Sequence, residues 1–353
     1  MKLVKIDKSQ WSQGLTKSRE SYRLYGPVET DGFHGFKALA ADEQPDMTYV
    51  NTRLSPKAIL FPQSEAIVTY SLDTNDTDHH VQKSMPIDEN PRAIVGIRPC
   101  DAKSVTLLNL NFDTSAYKDP YWVKALAATT FIGLACDDPR STCFCTSAGC
   151  GPYHEEGLDI LLVEQQEAYL AKILTQKGEA FAKAAGWDAE TEADDLFDTN
   201  KQAAEAKIVS TVSTDNLKNQ DILSLHAAPF WEDVSFACLN CGTCTYTCPT
   251  CWCFDLQDEV HGQSGKRFKN WDSCMFPLFT LHTTGHNPRG TKMQRVRQRF
   301  MHKLKYFVDK YDHGIMCVGC GRCVNQCPVN IDIRTICEIM NTYSPEEQTA
   351  VAD

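Results

Sequence analysis

Cys238-Leu-Asn-Cys-Gly-Thr-Cys-Thr-Tyr-Thr-Cys-Pro-Thr-Cys-Trp-Cys253 is the stretch that decides how this chain is read. Its first four cysteines, Cys238, Cys241, Cys244 and Cys248, follow C-x2-C-x2-C-x3-C-P. The same spacing returns at Cys317, Cys320, Cys323, Cys327 and Pro328. Three cysteines two residues apart can wrap a tight loop over three corners of an iron–sulfur cubane, with backbone N–H groups turned towards the sulfurs. Gly242, Gly319 and Gly321 suit such loops because they permit positive φ and close backbone approach. Pro249 and Pro328 end them.

Two copies of this run are the signature of a ferredoxin-like unit with two [4Fe-4S] clusters, in which the fourth cysteine of each run ligates the other cluster. The expected ligand sets are therefore Cys238, Cys241, Cys244 and Cys327 for one cluster, and Cys317, Cys320, Cys323 and Cys248 for the second. Zinc is the rival reading of any CxxC pair. Its sites usually combine two such pairs, often with histidine, and do not duplicate a four-cysteine run ending in proline.

The rest of the chain fits this reading without adding a second chemistry. With 353 residues, 42% of them hydrophobic and 23% charged, the chain has the composition of an ordinary soluble protein of two or three domains. Seventeen cysteines exceed what a cytosolic chain carries without a use for them. No apolar signal core, twin-arginine motif or 18-residue apolar run is present, so a cytoplasmic protein with no membrane span is expected, and metal ligation rather than disulfides. The formal net charge of -11 argues against a nucleic-acid partner.

The expected fold class is α+β: a mixed α/β domain over 1–165, a helical linker over 166–235, and the dicluster domain over 236–353 with a long helical insert between its half-motifs. Strand-like runs fall at 57–62, 66–70, 92–98, 129–135 and 160–163, and 165–174 has helical character. His79 and His80 read as a solvated loop pair, with a metal pair as the alternative. The acidic run between Asp188 and Asp198 reads as a solvated face, or else as a docking surface for a basic partner.

Within the first domain, GIRPCD (96–101) reads as a strand running into a turn and then a helix, placing Cys100 near a helix N-terminus that favours thiolate. Cys136 ends another strand, and Cys143 and Cys145 follow in TCFC. Strand ends and their loops are where α/β domains build sites. Cys100, Cys136, Cys143 and Cys145 are read as a third [4Fe-4S] site, with structural zinc or unligated core thiols as alternatives. In the insert, a helix is expected over 292–311. Met293, Val296, Phe300, Leu304, Phe307 and Tyr311 form its apolar face, and Lys292, Arg295, Arg297, Arg299, Lys303, Lys305 and Lys310 a basic one. The basic face is read as offsetting cluster charge, gripping an acidic partner, or simply solvated. Cys150, Cys251, Cys253, Cys274 and Cys337 are left as core residues or residues packed beside the clusters.

The motifs GIRPCD, TCFC (142–145), CPTCWCFD (248–255), WDSCM (271–275) and CVGCGRC (317–323) run in the order found in one family. The chain resembles the iron–sulfur beta-type subunits of soluble sulfhydrogenases and [NiFe] hydrogenases, together with the A-type subunit of anaerobic sulfite reductase. TCFC and WDSCM carry the resemblance, since generic ferredoxins lack them, and the match spans about 92–333. It implies a non-catalytic electron-transfer subunit of a hydrogenase or sulfhydrogenase complex. Such a subunit bridges a flavoprotein NAD(P)H-oxidoreductase subunit and a [NiFe] hydrogenase partner, or in the alternative a sirohaem sulfite reductase. It also implies that Cys100, Cys136, Cys143 and Cys145 bind a cluster. No G-x-G-x-x-G follows a strand, so FAD or NAD on this chain is not expected. A stand-alone redox sensor or an independent enzyme would need a signalling domain or a substrate pocket that the sequence does not announce.

Overall fold

Three consecutive apolar strands build the centre of the N-terminal half. They are β6 (Arg92–Ile97), β7 (Thr129–Leu134) and β8 (Ile160–Glu164), parallel neighbours that are buried almost throughout, as strands covered on both faces must be. Strands β1 (Lys2–Asp7), β2 (Arg23–Thr30), β3 (Phe33–Ala38) and β9 (Ala168–Ile173) complete a seven-stranded mixed sheet in the order β1-β9-β8-β7-β6-β2-β3. The structure, a computed structural model, describes residues 2–192 and 195–345. Asp194, in the middle of the acidic run, lies outside them.

Alternation along the strands sends side chains to two cores. Ala93, Val95, Ile132 and Ile160 meet the helices Lys8–Ser18 and Gln176–Ala185 on one face, while Ile94, Phe131 and Leu161 meet the helices Pro99–Phe112 and Pro120–Ala127 on the other. The helical character read over 165–174 is overturned. Ala-Tyr-Leu-Ala-Lys-Ile is β9, hydrogen-bonded to both β1 and β8, and pairing on two sides outweighs the weak helical preference of a six-residue run. The sheet thus continues past the boundary expected at 165. The run at 57–62 also departs from its strand reading, forming a 3-10 turn (Pro56–Ile59) with proline at its start.

The insert between the half-motifs is only partly helical. It opens with a hairpin, β10 (Phe254–His261) and β11 (Ser264–Trp271), which pairs with β4 (Ser64–Ser71) and then β5 (Lys83–Ser84) in a four-stranded antiparallel sheet. A strand pair from the C-terminal half is therefore completed by strands of the N-terminal half. The helix over 292–311 then runs as Lys292–Met301, a π turn at His302–Tyr306, and Phe307–Tyr311. A capping box closes its start: the Gln294 N–H donates to Thr291 Oγ1, and the Thr291 N–H donates to Gln294 Oε1. Val296, Phe300, Leu304 and Phe307 are buried, as the apolar face requires. Arg295, Arg299, Lys303 and Lys305 are buried too, so most of the basic face is not solvated.

Candidate iron–sulfur sites

The two ferredoxin-like loops repeat each other residue for residue. In the first, Asn240 and Gly242 take φ of 54° and 76°; in the second, Gly319 and Gly321 take 61° and 70°. These left-handed residues turn the backbone so that its N–H groups point inward. The Asn240 N–H meets Cys238 Sγ at 3.4 Å, and the Gly319 N–H meets Cys317 Sγ at 3.4 Å. At the closing end of the second run, the Ile331 N–H lies 3.2 Å from Cys327 Sγ. Each short helix that follows, Thr243–Tyr246 and Arg322–Asn325, carries the third cysteine of its loop.

The structure brings Cys238, Cys241, Cys244 and Cys327 to the lining of a single cavity, floored by Arg299 and Phe300. Cys248 has crossed to the other loop, where its sulfur is electrostatically coupled to those of Cys317, Cys320 and Cys323. Each fourth cysteine thus lies beside the loop of the opposite run. A separate cavity is lined by Cys100, Cys136, Cys143 and Cys145, with Arg98 and Cys320 beside them. Cys100 and Cys136 leave the carboxyl ends of the adjacent parallel strands β6 and β7, and TCFC supplies the remaining two thiols.

The third group of cysteines is interlocked with the second ferredoxin loop. The Phe144 N–H donates to Gly319 O at 2.9 Å, Cys143 Sγ lies 3.8 Å from Cys320 O, and Asn51 Nδ2 donates to the same carbonyl at 3.3 Å. A Cβ on Gly319 would stand 2.5 Å from the Cα and N of Cys145, and one on Gly321 would stand 2.4 Å from Thr142 Oγ1. Glycine is needed at both places for the loops to touch. The helices Thr243–Tyr246 and Arg322–Asn325 also pack together, so the four-cysteine groups form a row in which the Cys317 loop is the middle member.

The chemistry of the donors fits iron–sulfur clusters better than zinc. A tetrahedral zinc at about 2.3 Å from each sulfur holds those sulfurs about 3.8 Å apart. Among the described residues no three cysteine sulfurs come within 4.8 Å of one another; Glu29, His34 and Asp46, on an open face, are the trio that does. The surroundings are cationic. Lys57, Arg299 and Lys303 are each 4% exposed, and among the described residues none pairs with a carboxylate. Lys57 Nζ donates to the carbonyls of Cys248 and Cys251 at 2.8 and 2.7 Å, and Lys303 Nζ to Thr250 Oγ1 at 2.8 Å. Burial works against the Lys303 charge, but the neighbouring cysteine sulfurs, Cys248 foremost, more than offset it and favour the ammonium. Buried cations in such numbers demand an anion, and thiolate-ligated clusters supply one.

Without metal, burial keeps most of these thiols protonated. It pushes Cys320 up to about 11 and raises Cys136 and Cys143. Cys100 does stand in the first turn of its helix, but burial and the Asp101 carboxylate raise its thiol well above the ordinary value. The thiolate expected from the helix terminus is overruled by desolvation. Cys241 is the exposed member, its thiol lowered by the Thr243 hydroxyl.

Residues 237–331 match the family model of the 4Fe-4S dicluster domain. Over 340 residues, 94% of this chain and 96% of the other, the sequence is 28% identical to sulfhydrogenase 2 subunit beta of Pyrococcus furiosus. The chain is similar to that subunit along nearly its whole length, and its C-terminal part to the dicluster domain. No solved structure matches it. The likeness agrees with the motifs that generic ferredoxins lack, TCFC and WDSCM. Among the described residues no helix is long and apolar enough to cross a membrane.

Sequence reasoning missed the residues that join the sites. Arg322 reads as a spacer inside CVGCGRC, yet it forms a buried ion pair with Asp101. The only signal was its position between two ligands in a motif that otherwise offers small or apolar residues. Arg98 stands within GIRPCD with no role evident from the motif. It is buried over the Tyr49 ring, 4.5 Å from its centroid, and donates to the carbonyls of Tyr49 and Ala135. The imidazoles of His79 and His80 meet at a tilt of 50°, with centroids 3.8 Å apart, in a surface turn.

Proposed function

We propose that this chain is the electron-relay subunit of a hydrogenase-type complex. It would hold three [4Fe-4S] clusters, at Cys238/Cys241/Cys244/Cys327, at Cys317/Cys320/Cys323/Cys248 and at Cys100/Cys136/Cys143/Cys145. The observation that carries this reading is the row of three four-cysteine groups, each in contact with the next, ending at the exposed Cys241. When bound, the clusters supply one-electron redox chemistry. The protein's own residues position them, exclude water and set their potentials through N–H···S bonds and buried cations. The chain's likeness to a sulfhydrogenase beta subunit supports a [NiFe] hydrogenase partner on one side and a flavoprotein subunit exchanging electrons with NAD(P)H on the other.

The test is iron, acid-labile sulfide and zinc on anaerobically purified protein, together with the identity of co-purifying chains. About twelve irons and twelve sulfides are expected, four of each per cubane, falling to about eight in Cys143→Ser. Eight irons with one zinc would make the N-terminal site a structural clamp. Co-purification with a sirohaem protein would move the chain to a sulfite reductase.

A further inference from the structure

A groove of about 560 Å³ lies where the N-terminal half meets both ferredoxin-like loops. It is lined by the start of β3, by residues 51–53, by Arg140 and Thr142, and by Cys320, Gly321 and Arg322 of the middle site. The chain carries a formal net charge of -11, yet no described carboxylate lines this groove. Arg53 and Arg140 do, both exposed and, among the described residues, without an acidic partner. Arg53 is fixed in place. Its guanidinium lies 4.5 Å from the Phe33 ring centroid, its N–H donates to His34 O at 3.3 Å, and its carbonyl accepts from Gln326 Nε2 at 2.9 Å. The other basic lining residues are already engaged, His34 with Asp46 at 2.7 Å and Arg322 with Asp101. The Thr142 hydroxyl is buried and lacks a hydrogen-bond partner. Asn51, Arg140 and Cys320 also line the cavity of the Cys100 group, so the groove adjoins two cysteine groups at once.

We propose that this groove binds a small polyanion rich in oxygen acceptors, a phosphate ester or a polycarboxylate, through Arg53 and Arg140 beside the Cys317 loop. Guanidinium forks match the oxygens of phosphate and carboxylate groups. The Asn325 amide and the Thr142 hydroxyl line the same space and add neutral donors. Three features set the groove apart from an ordinary solvated surface. Its cations face no acid in a chain where acids outnumber bases. Arg53 is held over Phe33 before any ligand arrives, which limits the order lost on binding. The hydroxyl of Thr142 is out of water and unpaired, a loss that a ligand oxygen would recover. The volume suits a small molecule, whose sites span about 300–1,000 Å³. A concave groove of this size does not suit the flat acidic face of a protein.

The position beside Cys320 couples this site to the relay. A cluster at the Cys317 loop gains one negative charge on reduction, and the bound anion repels it. Reduction must therefore weaken anion binding, and by reciprocity the bound anion must lower the cluster's potential. A loss of affinity of about fivefold on reduction equals a fall of about 40 mV, at about 59 mV per tenfold for one electron. Where the anion is abundant, the middle site becomes a weaker electron sink and passes electrons on more readily.

The coupling rests on the cluster reading of the Cys317 site, whereas the anion site does not, and one experiment separates them. The complete protein, purified anaerobically, is titrated calorimetrically with inorganic pyrophosphate and with citrate, with iron counted in every sample. Salt is kept at about 0.1 M to screen diffuse attraction. The expected result is one saturable site per chain. Its affinity should fall about tenfold or more in Arg53→Gln and in Arg140→Gln, at unchanged iron. It should stay unaltered in Lys266→Gln, which removes an exposed cation on β11. Tighter binding of pyrophosphate would name a phosphate ester as the ligand class, and tighter binding of citrate a polycarboxylate. Dithionite-reduced protein should bind about fivefold more weakly, and one electron paramagnetic resonance signal should titrate about 40 mV lower with the probe bound. No saturable binding of either probe, or an equal loss in Lys266→Gln, overturns the proposal. Equal affinity in both redox states at full iron content overturns the coupling. Arginine-dependent binding to protein without iron–sulfur clusters would sustain the groove and sink the relay reading.

Discussion

Arg322 and Asp101 face each other as a two-bond ion pair at the junction of the two halves. Nη1 lies 2.6 Å from Oδ1 and Nη2 lies 2.7 Å from Oδ2, with side chains 2% and 1% exposed. Arg322 also donates to Thr52 O at 2.9 Å and to Thr52 Oγ1 at 3.1 Å. Asp101 follows Cys100, and Arg322 lies between Cys320 and Cys323. One pair therefore fixes the N-terminal site against the middle site. Removing one partner leaves a buried charge without compensation, which costs about 3–5 kcal/mol. Asp101→Asn and Arg322→Met should each lower unfolding stability by that order, and each should release iron from two sites together. The double variant Arg322→Met/Asp101→Leu should be more stable than either single one. Denaturant unfolding with iron counts checks both expectations.

Gly319→Ala should uncouple the same two sites by a different route. Its Cβ would meet backbone atoms of Cys145 and Phe144 at 2.5 Å, and backbone cannot step aside as a flexible side chain can. Its φ of 61° adds strain for any L side chain. Gly314→Ala is the control: φ is 56°, and nothing lies within 4 Å of a new Cβ. That control should cost only about 1 kcal/mol of backbone strain and keep its full iron content. Gly319→Ala should lose about a third of its iron, four atoms of twelve. Equal iron in the two variants would show that the loops do not need their close approach.

How much of this was legible beforehand follows from what each signal depends on. Cysteine spacing is local, so the two ferredoxin-like loops could be read directly. Strands β6 to β8 announced themselves as short apolar runs between breakers. β9 did not, because Ala-Tyr-Leu-Ala-Lys-Ile is decided by its neighbours β1 and β8, which no window of sequence contains. The basic face of the 292–311 helix misled for a related reason. Periodicity identifies a polar stripe, but it cannot say that Arg299 and Lys303 are buried against thiolates distant in sequence.

His302 makes part of the protein's stability sensitive to acid. Burial holds its imidazole down to about 4 against an ordinary 6.5, helped by the Lys303, Arg289 and Lys310 cations. Its ring packs on Trp252, with centroids 4.9 Å apart. The unfolded chain therefore takes up a proton before the folded one does. The contribution is complete above pH 6.5 and is lost as pH falls towards 4. The full effect is about 3 kcal/mol, of which about 1 kcal/mol is gone by pH 5.5. His302→Gln should flatten the stability profile between pH 7.5 and 5.5 by that amount. A parallel profile for the variant would assign the acid sensitivity to other groups.

Arg299 and Lys303 should set the potentials of the two ferredoxin-like clusters. The Arg299 guanidinium lines the cavity of the Cys238 group and is also raised by the thiolates of Cys323, Cys251 and Cys248. Lys303 lies against Cys248 and Cys317, turned inward by the π turn at His302–Tyr306, where an extra residue in the helix redirects the side chains that follow. A fixed cation near a cluster favours its reduced, more negative form, so removing the cation must lower the potential. At an effective dielectric of about 20 the interaction amounts to a few kcal/mol at most. Partial screening by the second cation leaves an expected fall on the order of tens of millivolts for each of Lys303→Met and Arg299→Met. Potentiometric titration followed by electron paramagnetic resonance reads this directly, and the Cys100 group serves as an internal reference, since neither cation faces it. A uniform shift of all three signals would indicate a general loosening of the fold, whereas lower potentials at the two ferredoxin-like sites alone would show that these buried cations tune the relay.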